Sequence, residues 1–302
     1  MRINRDLGTG SIQAPAKVNL FLEVLGNRPD GYHDLCTLLV AIDLFDSLEF
    51  ERLSDGVISL TCDDPRVPTG EGNLMVQAAR RLKEVSKSPL GVRMSLRKRI
   101  PMQAGLGGGS SDAAATLRVL NELWDLRLSK EQLQNVASDL GSDVPFFLDG
   151  PAAWCTGRGE KVSQTSLNIT LHLVLICPSV GLPTGEVFRR VRVPHEPVAP
   201  SAMEQALQRG DLAGVGAALH NRLQEAAEEL APGLRSVREV LESLGPLGHQ
   251  MSGSGSSYFA LCRDQQEAEA LAEKARAALD QKSDQRGGYA YQVFVTHSLT
   301  QG

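Results

Sequence analysis

Three separated sets of residues have the types that phosphate chemistry requires. The densest is Pro101, Met102, Gln103, Ala104, Gly105, Leu106, Gly107, Gly108, Gly109, Ser110, Ser111 and Asp112, with four glycines in the five positions 105–109. Glycine at such a place lets backbone N–H groups face a ligand with no Cβ in the way. An alanine-rich helical run starts at Ala113, so a helix N-terminus with unpaired N–H groups and the positive end of its dipole points at the same spot. Ser110 and Ser111 add hydroxyl donors, and Asp112 or a serine is expected to cap the helix. The second set is Lys17 with Asn19, polar residues inside an otherwise apolar segment. The third is Asp143, just ahead of the apolar run Val144, Pro145, Phe146, Phe147 and Leu148. A carboxylate in semi-apolar surroundings is suited to general-base work, and the alternative is that it caps the turn that follows. The loop lacks the GxxxxGK[ST] of Walker sites, and its glycine spacing does not fit GxGxxG, so dinucleotide and protein-kinase loops are poor matches.

The elements that must carry these groups are readable from periodicity. Residues 12–24 alternate as a strand, which places Lys17, Asn19, Phe21 and Glu23 on one face. A lysine there either reaches an edge or faces a polar cleft, because burial without a partner is costly. A turn-rich loop follows, with Asp30 and Gly31 as its turn signal, and ends in Tyr32 and His33, which are either a small-molecule clamp or a surface packing pair. Strand patterns continue over 38–42, 47–50 and 57–60. A helix over 73–82 has Asn73 as its cap and Leu74, Ala78 and Leu82 on one stripe. A strand from Val92 leads into the glycine loop, a helix runs through Leu117, Leu120 and Trp124, and another spans 130–140 and stops at Gly141. A strand over 152–156 ends in the tight turn Gly157, Arg158, Gly159, Glu160. The second half reads as strand 171–177, a loop over 183–188, helices near 201–209, 212–230 and 234–244, a small-residue loop over 251–257, strand 258–262, helix 267–279 and strand 291–295. This is an α+β chain with a boundary near 150–170.

Bulk properties narrow the classes. At 302 residues, with a formal charge of -5, the chain is large enough for one or two real cores. A pI near 5.7 and a mean hydropathy of -0.16 argue against a general nucleic-acid or acidic-membrane surface. A local basic patch at Arg93, Arg97, Lys98 and Arg99 beside the loop is either functional or a solvated strand face. Five scattered cysteines without a CxxC suit a reducing compartment and form no recognisable zinc site. No apolar run reaches transmembrane length, and the polar opening of the chain lacks a signal-peptide core. A cytoplasmic protein is expected.

The segment Ala16, Lys17, Val18, Asn19, Leu20, the glycine loop, and a second loop, Gly253, Ser254, Gly255, resemble in kind and order those of the GHMP small-molecule kinase superfamily. The similarity runs from about residue 12 to about 295. The stretches 29–33, 141–147 and 183–188 narrow it to members that phosphorylate the 2-hydroxyl of a cytidine diphosphate-linked methylerythritol on the non-mevalonate route to isoprenoid precursors. The resemblance implies the GHMP kinase fold, with an N-terminal ATP-binding domain over 1–160, a C-terminal domain over 161–302 and the active-site cleft between them. It implies ATP as phosphoryl donor, Asp143 and Lys17 as the catalytic pair, and phosphate binding by residues 101–111. Asn73, Leu74 and Lys98 would lie at the adenine. Tyr32 and Phe188 would sandwich the cytosine, His33 would read its edge, and Asn19 and Thr184 would contact the acceptor. Mg²⁺ is expected, with Ser111 as its protein contact and no carboxylate cage. Many relatives have three glycines where this chain has Gln103, Ala104 and Gly105, so a narrowed loop entrance is expected. The rival readings are a mevalonate- or homoserine-type kinase and a noncatalytic RNA-binding module, which would want a basic face.

Overall fold

A computed structural model describes residues 1–286 and 289–300, with side chains from 282 to 286 excepted. Contacts divide the chain into two compact units that interleave along the sequence: Met1–Ala16, Leu44–Ile100 and Gly107–Gly150 form the first, while Lys17–Asp43, Pro101–Leu106 and the chain from Pro151 onward form the second.

The first unit holds β1 (Arg2–Asn4), the start of β2 (Thr9–Asn27), the end of β3 (His33–Leu53), β4 (Ile58–Cys62), α1 (Leu74–Ser86), β5 (Gly91–Arg97), α2 (Gly108–Leu123), α3 (Lys130–Leu140) and α4 (Val144–Asp149). β1 pairs antiparallel with β2, β5 pairs antiparallel with β3 at Ser47–Arg97 through Leu53–Gly91, and β4 lies parallel to β5. Alternation on β5 turns Val92, Met94 and Leu96 inward and leaves Arg93, Ser95 and Arg97 outside. The inward residues are buried with Met75, Ala78, Ala79 and Leu82 of α1 and Leu117 and Leu120 of α2. Asn73 caps α1 as expected, accepting from the Met75 amide at 2.8 Å, and Ser129 and Gln132 form a reciprocal capping box on α3.

The second unit adds β6 (Ala152–Gly157), β7 (Lys161–Gln164), β8 (His172–Pro178), α5 (Thr184–Arg190), α6 (Ser201–Arg209), α7 (Leu212–Ala217), β9 (His220–Asn221), α8 (Gln224–Leu230), α9 (Leu234–Leu244), β10 (Gly248–Met251), β11 (Tyr258–Cys262), α10 (Gln265–Arg286) and β12 (Tyr291–His297). Its separate sheet has the order β10-β11-β8-β12, all antiparallel. The apolar faces of β8 and β11 (Val174, Ile176, Tyr258, Ala260) are buried with Val237 and Leu241 of α9 and Ala268, Ala272 and Ala275 of α10. β6 pairs with the N-terminal half of β3, from Leu35–Gly157 to Val40–Ala152.

The strands expected over 38–42 and 47–50 are one element, β3. The helix expected over 212–230 is interrupted by β9, where His220 and Asn221 lie parallel to Phe21 and Leu22 of β2. Glu23 explains that break. Its fully buried carboxylate accepts from Arg222 Nε at 2.7 Å and Nη2 at 2.8 Å, from the Val24 and Val198 amides at 2.8 Å each, and meets His220 Nε2 at 3.1 Å. Burial pushes this carboxyl up, but Arg222, the two amides and His220 outweigh it and hold it at about 2.

A depressed folded-state value means that the stabilisation is full above the ordinary value of 4.5 and is lost as pH falls toward 2. Glu23→Gln is therefore expected to lower unfolding stability by about 3 kcal/mol at pH 7, the cost of breaking a buried ion pair. In denaturant titrations, the gap to wild type should shrink steadily below pH 4; a gap independent of pH would contradict the assignment.

Candidate active site

In the second unit, strand alternation places Lys17, Asn19, Phe21 and Glu23 on one face, as the sequence predicts. Lys17 is buried, at 3% exposure, rather than drawn to an edge. Its ammonium donates to Asn19 Oδ1 at 2.6 Å; Asn19 Nδ2 donates to Thr37 Oγ1 at 2.9 Å; and Thr37 donates to the Phe21 carbonyl at 2.7 Å. Both polar atoms of the Asn19 amide are thus engaged in holding the ammonium in place. Thr37 is a contributor that the sequence reading missed, because a threonine inside a strand looks like β-propensity and nothing more.

The first half of the glycine loop meets the same strand. The Lys17 amide donates to the Leu106 carbonyl at 3.0 Å, the Ser252 hydroxyl donates to the Gly105 carbonyl at 2.9 Å, and the Ser257 amide donates to the Ala104 carbonyl at 3.1 Å. A Cβ on Gly105 would lie 2.0 Å from the Ser252 carbonyl oxygen, and its φ is +75°, so only glycine fits. The second small-residue loop is fixed in turn by Asn221, whose Nδ2 donates to the carbonyls of Met251 at 2.7 Å and Gly253 at 2.8 Å. A Cβ on Gly253 would stand 3.0 Å from Lys17 Nζ. Thr184 reaches this loop through Ser254, hydroxyl to hydroxyl, at 3.0 Å. Gln103 lies against Gly181, where a Cβ would come within 2.5 Å of its Oε1, and Ala104 is buried.

The aromatic residues expected at an acceptor base are in the second unit too. His33 and Phe188 have ring centroids 5.3 Å apart at 33°. Tyr32, half-exposed, has the Arg158 guanidinium 4.9 Å from its ring centroid. The stretch expected as a loop over 183–188 is helical, forming most of α5, which is what turns Phe188 toward His33.

In the first unit, α2 starts at Gly108, five residues before Ala113, with Gly107 at its N-cap (φ +70°) and no side-chain cap. The expected cap from Asp112 or a serine is not formed. Asp112 instead accepts from the buried Lys98 ammonium at 3.0 Å, and Asp46, fully buried, accepts from it at 2.5 Å. Asp46 also accepts from the Arg99 amide at 2.6 Å and the Ile100 amide at 2.9 Å. Lys98 passes so close beneath α2 that a Cβ on Gly108 would lie 2.9 Å from its Nζ. Of the basic run beside the loop, Lys98 is therefore an interior ion held by two carboxylates, and Arg93 pairs with Glu51. Leu74 approaches the same turn, 3.7 Å from where a Cβ on Gly109 would stand, while Asn73 is occupied by capping and by the Pro68 carbonyl at 2.8 Å. Asp143 stands at the N-cap of α4 in helical backbone, φ −86° and ψ −12°, and makes no capping hydrogen bond, so the capping alternative falls away. Ser111 Oγ is buried with no hydrogen-bond partner among the described residues, a disposition that suits an oxygen ligand for a cation. Among the described residues, no cluster of three or more His, Cys, Asp or Glu is placed to hold a metal, and no helix is long and apolar enough to cross a membrane.

Within the second unit, a loop that only glycine fits at residue 105 is bonded to the strand that seats a buried ammonium. The family models for the GHMP kinases N terminal domain and the GHMP kinases C terminal match residues 73–151 and 203–281. The chain is 40% identical over 89% of its length to the 4-diphosphocytidyl-2-C-methyl-D-erythritol kinase of Pelotomaculum thermopropionicum, covering 94% of it. It is 42% identical to the Prochlorococcus marinus protein of the same name, with 89% of each covered. A crystal structure titled 4-(cytidine 5'-diphospho)-2C-methyl-D-erythritol kinase superposes with a TM-score of 0.78 at 37% identity, covering 97% of this chain and all 100% of the other. The chain belongs to the 4-diphosphocytidyl-2-C-methyl-D-erythritol kinase family. Homoserine kinase from Cytophaga hutchinsonii (TM-score 0.77, 20% identity, 99% and 97% covered) and L. major mevalonate kinase (0.74, 18%, 97% and 97%) share the fold.

Burial pushes the Asp112 carboxyl up to about 7 against the pull of Lys98, with Asp46 adding to the rise. An acid raised in the folded state contributes stability that is full below its ordinary value of 3.8 and is lost as pH rises through about 7. Asp112→Asn, which cannot ionise, should therefore gain on wild type between pH 4 and 8 in equilibrium denaturation. Parallel stability curves would show that Asp112 ionises normally.

Proposed function

We propose that this protein transfers the γ-phosphoryl group of ATP to the 2-hydroxyl of 4-diphosphocytidyl-2-C-methyl-D-erythritol. The observation that carries the reading is that one strand, β2, both seats the buried Lys17 ammonium and binds the glycine loop through Leu106. A cation on the strand that also anchors the start of the loop suits a transferring phosphoryl group, since its catalysis is mostly positioning and electrostatics. The loop amides from Gly105 to Ser111 and the N-terminus of α2 hold the β- and γ-phosphates, and Leu74 contributes to the adenine side. Asp143 accepts the proton of the acceptor hydroxyl as its oxygen bonds to the γ-phosphorus and the bond from phosphorus to the β–γ bridging oxygen breaks. ADP leaves with the bridging oxygen, and Lys17 offsets the charge that develops on the transferring group. Asn19 keeps the ammonium in place through its amide oxygen. Mg²⁺, when bound, shields the triphosphate, with Ser111 Oγ as the protein oxygen suited to contact it.

On the acceptor side, Tyr32 and Phe188 flank the cytosine, His33 meets its hydrogen-bonding edge, and Thr184 contacts the acceptor beside Ser254. The N-terminal domain over 1–160 and the C-terminal domain over 161–302 divide the sequence, whereas the compact units interleave across that division, Lys17–Asp43 and Pro101–Leu106 grouping with the chain from Pro151 onward. The reaction is cytoplasmic; five cysteines with no disulfide among the described residues suit a reducing compartment.

A coupled ADP-release assay tests the assignment. Turnover is expected with 4-diphosphocytidyl-2-C-methyl-D-erythritol and not with mevalonate or homoserine, and a preference for either of the latter overturns the acceptor. Asp143→Asn is expected to lower kcat by about 10²–10⁴-fold, the scale of general-base catalysis, with the fold retained. Wild-type turnover in that variant would remove Asp143 from the mechanism.

A further inference from the structure

Tyr32 is an exposed aromatic at the end of a turn, and such a side chain ordinarily samples several rotamers. Here it is restrained from two directions. Below it, Arg28 engages Asp30 through Nε at 3.1 Å and Nη2 at 3.0 Å, and Asp30 Oδ1 accepts from the Tyr32 amide at 3.1 Å, which fixes the backbone. Above it lies Arg158, with its guanidinium 4.9 Å from the ring centroid, within the range of a cation–π contact.

The placement of Arg158 is built into the fold. Gly157 pairs with Leu35 in the β3–β6 ladder, so the β6–β7 turn is delivered next to the start of β3, where Tyr32 and His33 stand. The turn is closed on itself: Glu160 Oε2 accepts from the Arg158 amide at 2.6 Å, and the Glu160 carboxylate fills the space where a Cβ on Gly157 would lie, 2.8 Å away. Ladder register and turn closure together set the point from which the Arg158 side chain departs.

We propose that Arg158 is a positioning residue for the acceptor's pyrimidine ring. By covering one face of Tyr32, the guanidinium holds that ring in the orientation in which its other face stacks on the base. The ordering of Tyr32 is thus completed before the substrate arrives, and less freedom is lost on binding. Planar stacking favours arginine over lysine at this position. This inference rests on the cytosine-binding role proposed for Tyr32.

The test is a double-mutant cycle on the full chain, with 4-diphosphocytidyl-2-C-methyl-D-erythritol as the acceptor. Arg158→Gln should raise KM for the acceptor roughly 2–5-fold, the scale of an exposed cation–π contact, with the change falling on that KM rather than on kcat or on KM for ATP. Arg158→Lys should recover part of the loss. In a Tyr32→Ala background, Arg158→Gln should add nothing, because its effect passes through the missing ring. An unchanged KM in Arg158→Gln, or the same rise with and without Tyr32, overturns the proposal. Failure of wild type to phosphorylate this acceptor would overturn the functional reading itself and this inference with it, whereas an unresponsive KM in an active enzyme sinks the inference alone.

Discussion

The backbone approach of Gly105 to Ser252, too close for any Cβ, sets where the first half of the glycine loop runs. Every neighbouring bond depends on it. With Gly105 in place, Ser252 and Ser257 reach the loop carbonyls and Leu106 comes within hydrogen-bond distance of the Lys17 amide. A side chain at residue 105 would push this end of the loop away from Ser252 and off β2. The loop is therefore rigid at this end for a steric reason, in spite of its glycine content. That rigidity matters for phosphoryl transfer, where preorganised donors contribute without having to reorganise during the reaction.

Buried charge is handled by a second rule at Lys98 and Glu23, each of which has its counterions on other parts of the chain. Lys98, at the end of β5, is shared between Asp46 of β3 and Asp112 of α2. Glu23 of β2 takes Arg222 and His220 from the chain around β9. Such pairs contribute little net stability compared with apolar residues of the same size, but losing one partner is costly. Their effect is to fix register: α2 cannot slide along the sheet without stripping Lys98, and β9 cannot stay helical without abandoning Glu23.

These pairs also explain which parts of the structure were legible in the sequence. Elements governed by local patterns were read well: the α1 cap at Asn73, helix α3 with its stop at Gly141, and the alternating face of β2 that carries Lys17. The errors fall where a distant partner overrides local preference. Asp46 splits an apolar pattern and looks like a break between two strands, yet it is a buried partner inside one. His220 and Asn221 sit within a helical pattern, but three long-range acceptors, Glu23 and the carbonyls of Met251 and Gly253, draw them into strand geometry. Asp112 has the composition and position of a helix cap, and Lys98 takes it away. Glycine and aromatic residues stand out by type alone, so the loop and the rings are visible in the sequence, but their neighbours are not: the structure sets His33 against Phe188 and Arg158 against Tyr32. Thr37 and Asn221 carried no such signal; their roles exist only once the chain is folded.

The groups proposed to handle phosphate and those proposed to handle the acceptor differ in physical setting, and this difference explains how one fold serves several substrates. Lys17, Asn19 and Ser111 are buried, as electrostatic work away from water demands. Tyr32, His33 and Thr184 lie at the starts of β3 and α5 and Phe188 within α5, each with part of its surface open, as a base entering from water demands. Homoserine and mevalonate kinases keep the fold at 20% and 18% identity, so the architecture alone does not choose the alcohol. Exposed positions of this kind can change without disturbing the buried ion pairs. Arg158, on the β6–β7 turn and outside the core, is a position of that kind: a substitution there leaves the buried ion pairs of Lys98 and Glu23 untouched.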